Sequence, residues 1–235
     1  MPFEKIREEC CQANLQLVSH GLVDMTFGNA SVFDPTGKVF AIKPSGVSYT
    51  DLQPEQMVVV DLDGKIVDGK LRYSSDTPTH RCLYLAFEQY GVRSIVHTHS
   101  RNAVAFAQAK VPLPCLGTTH ADFFNGPVPV TRELTKEEVS GDYEWETGNV
   151  IVEAFEELDP AQMPAVLVAG HGPFAWGDSA TKAVEHGFAL EVVAEMAIKT
   201  LGINSNAKPV PDYLLAKHFN RKHGESAYYG QRNDA

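Results

Sequence analysis

The sequence predicts a three-layer α/β domain, a central and mainly antiparallel sheet flanked by helices, and three observations carry that prediction. Hairpin signals come early in the chain, as alternating apolar runs around Asp-Pro-Thr-Gly and Asp-Gly turns. Helical segments are interspersed with short β-branched runs instead of being collected at one end. Gly and Pro punctuate the chain evenly, with no repeat, low-complexity tract or linker, so residues 1–235 read as one domain. Hydrophobic residues at 43% and charged residues at 21% are enough for an ordinary globular core.

The elements follow in order. Glu4 to His20 is helical in pattern, with Ile6, Cys10, Leu15 and Leu17 roughly on one side and Gly21 where a terminating glycine belongs. Thr26–Phe33 and Lys38–Lys43 form a hairpin around Asp34-Pro35-Thr36-Gly37, and Met57–Leu62 pairs with Lys65–Val67 across Asp63-Gly64. A second helix opens with Thr77 as N-cap and Pro78 at its first position, and ends at Gly91. Ser94–His99 is a strand, Ser100 caps a helix through Ala109, and another helix spans Gly148–Glu157. Strands Ala165–Val168 and Pro173–Trp176 precede helices Ser179–Leu201 and Asp212–His223.

Charge narrows the function. Twenty basic against thirty acidic residues give −10, which argues against nucleic acid as a partner. An anionic ligand must therefore be met by local donors, because the overall field opposes it. No apolar run approaches the roughly 18–20 residues of a membrane span, and the opening MPFEKIREECC is charged where a secretory signal is apolar. Cys10, Cys11, Cys82 and Cys115 contain no CxxC and read as reduced thiols, so the expected location is the cytoplasm.

The sharpest chemical feature is Ile95-Val96-His97-Thr98-His99-Ser100. Alternation along a strand puts His97 and His99 on one side, where both imidazoles can reach one ion at about 2.0–2.1 Å. A bare HxH reads equally as two ordinary strand histidines, so a third ligand has to decide. His171, between Gly170 and Gly172, is the best candidate, its flanking glycines leaving room for an ion and a substrate. In Ser74-Ser75-Asp76-Thr77, two hydroxyls and free N–H groups at a helix start suit an anion, while Asp76 either caps the helix or turns toward a metal. Lys43-Pro44-Ser45-Gly46 and Gly28-Asn29 are turns that would suit a phosphate, although no P-loop is present. Asp122 stands beside Phe123 and Phe124, where burial would raise its pKa into a useful range. The polar, aromatic tail around His218, Arg221 and Tyr229 reads either as a solvated terminus or as part of a site.

Together these segments resemble the class II aldolase/adducin family, in particular its pentulose-phosphate 4-epimerase branch. The likeness runs from about residue 13 to 231 through KPSGVSYTDL, SSDTPTHR, IVHTHSR, GTTHADFF, GDYEWETGNVIVE, HGPFAWG and RKHGESAYYGQ. It implies that His97, His99 and His171 bind one zinc ion per subunit, with Asp76 on or beside the metal. It implies that Gly28, Asn29, Ser45, Gly46, Ser74 and Ser75, with Lys43 beside them, hold substrate and phosphate. Asp122 and Tyr229 would be the acid/base pair, with His218 and Arg221 near them. The implied reaction interconverts L-ribulose 5-phosphate and D-xylulose 5-phosphate by breaking and remaking the bond between carbons 3 and 4. The implied assembly is a homotetramer with sites between subunits. An aldolase of the L-fuculose 1-phosphate type and a non-catalytic adducin-like scaffold are the alternatives. One departure is Ala169-Gly170, where relatives more often carry His-Ser; it leaves His171 as the sole imidazole there.

Overall fold

The computed structural model describes residues 3–224 and 227–228. One seven-stranded sheet runs in the order β4-β3-β2-β1-β5-β7-β6. Its strands are β1 (Asn29–Asp34), β2 (Val39–Ile42), β3 (Val58–Asp61), β4 (Ile66–Asp68), β5 (Ser94–His97), β6 (Ala165–Leu167) and β7 (Pro173–Gly177). Every ladder between neighbouring strands is antiparallel.

Alternation along β2 shows why the sheet is covered on both faces. Phe40 and Ile42 join a core with Leu83, Tyr84 and Phe87 of α2 (Thr77–Phe87), and Tyr84 packs 5.0 Å from Phe33 and 5.3 Å from Phe40 between ring centres. Val39 and Ala41 point the other way, to Ile6, Cys10 and Cys11 of α1 (Glu4–Ser19). The three-layer α/β expectation is met. Arg101–Ala109 (α3), Thr118–Ala121 (α4), Lys136–Ser140 (α5), Tyr143–Glu153 (α6), Ala180–Ile203 (α7) and Asp212–His223 (α8) complete the helices. Among the described residues, no helix is long and apolar enough to cross a membrane.

Several boundaries shift for physical reasons. The first strand begins at Asn29 and not Thr26, because Gly28 at φ +73° turns the chain just before it. The strand carrying His97 stops there, so His99 lies in the segment leading to α3. Asp76, not Thr77, occupies the N-cap of α2, yet its side chain makes no capping bond. At α3 the N-cap Ser100 likewise makes none. Glu191 of α7 instead accepts from the Asn102 and Ala103 amides at 3.0 and 2.9 Å. The helix expected from Gly148 starts at Tyr143.

Candidate metal centre and anion-facing cavity

The site grows from the ends of central strands. β5 pairs with β1 so that His97 faces Asn29, and with β7 so that it faces Phe174. The His97 ring stacks on Phe174 at 4.2 Å between centres, and its Nδ1–H donates to the Pro173 carbonyl at 3.0 Å. That bond fixes the tautomer and leaves the Nε2 lone pair for a ligand role. His99 brings its Nε2 to 3.1 Å from that of His97.

His171 arrives from the β6–β7 turn. A Cβ on Gly172 would lie 2.9 Å from the Thr98 carbonyl, so that glycine makes room for the neighbouring backbone and not, as expected, for an ion. One potential ligand atom from each of His97, His99 and His171 lies within 4.8 Å of the others, and among the described residues this is the only such group of three or more. Nitrogens at about 2.0–2.1 Å around a tetrahedral ion are about 3.4 Å apart, so the His97–His99 spacing already suits one ion. Among the described residues, the buried Nδ1 of His171 has no hydrogen-bond partner, an orphaned atom of the sort a ligand would satisfy. Burial lowers the pKa of all three imidazoles, that of His97 to about 3, which keeps them neutral and competent to ligate. The residues present fit a divalent ion of zinc's ligand preference.

Asp76 stands beside this group. Burial opposes its ionisation, but His97, His80, a 2.6 Å bond from the Asn29 amide, and His171 outweigh that, and its carboxyl is held below the ordinary range. Of the two roles the sequence left open for Asp76, capping is therefore set aside.

The part of the cavity expected to meet an anion is built where the chain leaving β2 runs beside the segment leading into α2, bridged at Pro44 and Tyr73. Ser45 N–H donates to the Arg72 carbonyl at 2.9 Å and Ser74 N–H to that of Lys43 at 3.1 Å. Asn29 Nδ2 also reaches Ser74 Oγ at 3.1 Å. The N–H groups expected to be free at the helix start are partly engaged, Thr77 N with the Ser74 carbonyl and Asp76 N with Ser74 Oγ. Gly28, Asn29, Lys43, Ser45, Gly46, Ser74, Ser75, Asp76, His97, His99 and His171 all line one cavity of about 420 Å³. Gly28 is there because nothing larger fits: a Cβ would lie 2.6 Å from the His97 carbonyl.

Several lining residues carried no assignment from sequence: Thr26 and Phe27 ahead of Gly28, and Tyr143 and Glu144 at the start of α6. The last two matter most here. The quoted GDYEWETGNVIVE segment contained them, but the misplaced helix start hid their position.

Asp122, His218 and Arg221 do not line this cavity. They meet one another at the C-terminus of α4 and on α8, where Asp122 accepts from Arg221 Nε and Nη2 at 3.0 and 2.7 Å and from His218 Nδ1 at 3.0 Å. The expectation that burial raises the Asp122 pKa is overturned. Burial does push upward, but the Arg221 and His218 hydrogen bonds prevail and lower it. Tyr229 lies outside the described residues.

Comparison with known proteins places the chain in a family. Residues 8–198 match the model of the Class II Aldolase and Adducin N-terminal domain. The L-ribulose-5-phosphate 4-epimerases UlaF of Salmonella paratyphi A and Salmonella typhi are each 49% identical over 230 residues, covering 98% of this chain and 100% of theirs. Among solved structures, an L-fuculose 1-phosphate aldolase shares the fold with a TM-score of 0.78 at 24% identity, over 92% of this chain and 95% of that one. YgbL of Klebsiella pneumoniae gives 0.69 at 27%, over 92% and 99%. The family match runs through every cavity segment from Gly28 to His171, and the chain is an enzyme belonging to the class II aldolase and adducin family.

Proposed function

We propose that the chain is a zinc-dependent L-ribulose-5-phosphate 4-epimerase, interconverting L-ribulose 5-phosphate and D-xylulose 5-phosphate. The observation that carries this reading is the convergence of three neutral imidazoles with Lys43 and three serines in one cavity, in a chain 49% identical end to end to relatives of that name.

The chemistry explains why such a cavity is needed. Carbon 4 has no adjacent carbonyl, so removing its proton gives no stabilised anion. Retro-aldol cleavage of the bond between carbons 3 and 4 avoids the problem, leaving an enediolate and glycolaldehyde phosphate. Rotation of the aldehyde and re-addition invert the centre. His97, His99 and His171 would hold a divalent ion, which would supply Lewis-acid stabilisation of negative charge on the sugar's oxygens. Ser45, Ser74 and Ser75, with Lys43, hold the phosphate so that the cleaved aldehyde stays. Asp76 keeps a negative charge beside the imidazoles, and Asn29 orients it.

The carbon-4 hydroxyl points in opposite directions in the two epimers, so two proton-handling groups on opposite sides are required. Asp122 and Tyr229 are proposed for them, with His218 and Arg221 setting the Asp122 charge. Because the Asp122 group stands apart from the histidine cavity within one chain, we propose a homotetramer in which one subunit's cavity is completed by its neighbour's α4–α8 surface. The four cysteines are free and buried, which suits a reducing compartment, and we place the enzyme in the cytoplasm.

The test is direct. Purified protein should interconvert the two pentulose 5-phosphates, lose the activity on exhaustive chelation and regain it with zinc. Turnover of neither sugar phosphate by metal-loaded protein would overturn the reading.

A further inference from the structure

Lys43 poses a question that the cavity alone does not answer. Its side chain is 2% exposed, and its ammonium makes a long hydrogen bond, 3.4 Å, to the Pro44 carbonyl. Among the described residues it has no carboxylate partner. An ammonium carries three donors and is costly to bury unpaired. Burial accordingly lowers its pKa.

The compensating group is Tyr49. The Lys43 Nζ sits 4.6 Å from the centre of the Tyr49 ring, within cation–π range. Tyr49 opens a short helical turn, Tyr49–Asp51, and is itself 5% exposed. Its hydroxyl lies 3.0 Å from the Phe27 carbonyl and 2.9 Å from that of Gly28. That same Gly28 backbone abuts the His97 carbonyl so closely that it admits no side chain. One aromatic residue outside the cavity lining therefore touches the lysine on one wall and the turn that backs the histidine strand on the other.

We propose that Tyr49 is a positioning residue: its ring holds the Lys43 ammonium at the cavity wall for the substrate phosphate, and its hydroxyl pins residues 27–28 against the end of the histidine strand. The inference rests on the reading of the cavity as a sugar-phosphate site. The ring and the hydroxyl have separable duties, since one serves anion binding and the other the placement of Gly28, Asn29 and His97.

Inorganic phosphate binding to the metal-loaded full chain, measured by calorimetry, tests the ring without requiring turnover. Tyr49→Leu should weaken phosphate binding about tenfold, within the range for a desolvated cation–π contact, and raise the KM for L-ribulose 5-phosphate by a similar factor. Tyr49→Phe keeps the ring and should restore phosphate affinity to within about twofold of wild type. It should instead lower kcat by about fivefold, as expected for the loss of one hydrogen bond. Bound metal should remain stoichiometric in both. Folded Tyr49→Leu with wild-type phosphate affinity would overturn the ring's role, and Tyr49→Phe with wild-type kcat would overturn the hydroxyl's. If Tyr49→Leu does not fold, Tyr49→Met offers similar bulk without a π face; failure of both to fold would make the residue structural and end the proposal. Wild type that binds phosphate but turns over neither pentulose would overturn the epimerase reading alone. Wild type that binds no phosphate would overturn this inference.

Discussion

The sheet end around His97 and the helical surface around Asp122 handle charge in opposite ways. At the sheet end, neutral imidazoles, one carboxylate and one ammonium are held in a cavity by main-chain register; burial lowers the pKa of the imidazoles and the ammonium, while neighbouring groups hold the carboxylate ionised against it. On the α4–α8 surface, Asp122 and Arg221 are already paired, their side chains 15% and 24% exposed. The first region is a cage in which two buried polar atoms, Nδ1 of His171 and Oδ1 of Asn29, have no hydrogen-bond partner among the described residues. The second is a set of charged groups that already satisfy one another, away from that cage. Under the shared-site proposal, each region would supply what the other lacks.

The largest effect should come from breaking the cage. His97→Asn is expected to lower zinc affinity more than about a hundredfold, beyond the 10–100-fold typical of losing an outer partner, and to abolish epimerisation. Elemental analysis after dialysis reads the metal, and thermal melting should show an intact fold. Full zinc occupancy with normal activity would remove His97 from the ligand set.

Joining the regions across subunits gives the next effect. His97→Ala and Tyr229→Phe, each inactive alone, should recover activity when co-expressed. If every site takes its histidines from one subunit and its tyrosine from the next, random mixing leaves roughly a quarter of sites with both halves intact. Tetramers shown to be mixed, yet dead, would place both halves in one chain.

The smallest effect sharpens the comparison from the α4 side. His120, 3% exposed, donates from Nε2 to the Gly126 carbonyl at 2.7 Å, and burial pushes its pKa down to about 4. Because the folded value lies below the unfolded one, near 6.5, its contribution is full above that pH and is lost as pH falls toward 4. Between pH 7 and 5 this amounts to about 2 kcal/mol. His120→Gln keeps a donor but does not titrate, so its urea midpoint should fall less over that interval than the wild type's. Equal slopes would mean that His120 is not buried neutral.

What could be read from the sequence follows the range of the interactions. Local rules located α8 at Asp212–His223, because cap and periodicity act over a few residues. His97 and His99 do meet as expected, but not through strand alternation: the strand ends at His97, and the segment leading to α3 brings His99 to it. The start of α6 was missed because Tyr143-Glu144-Trp145-Glu146 has no clear apolar stripe, and with it went two cavity residues. The sign of the Asp122 shift was out of reach because its partners lie 96 and 99 positions away. The Lys43–Tyr49 contact spans six residues, yet it follows from the course of the backbone after β2, which propensity does not encode.

The partner that fixes the His97 tautomer is the peptide carbonyl of residue 173. Any amino acid at that position carries the same acceptor, so the ring's proton placement is inherited with the β5–β7 register and not with a side chain. Point mutation can retune the site from the Asn29 and Asp76 side, where side chains make the contacts, but to alter the tautomer a variant must move a strand or replace the ring itself.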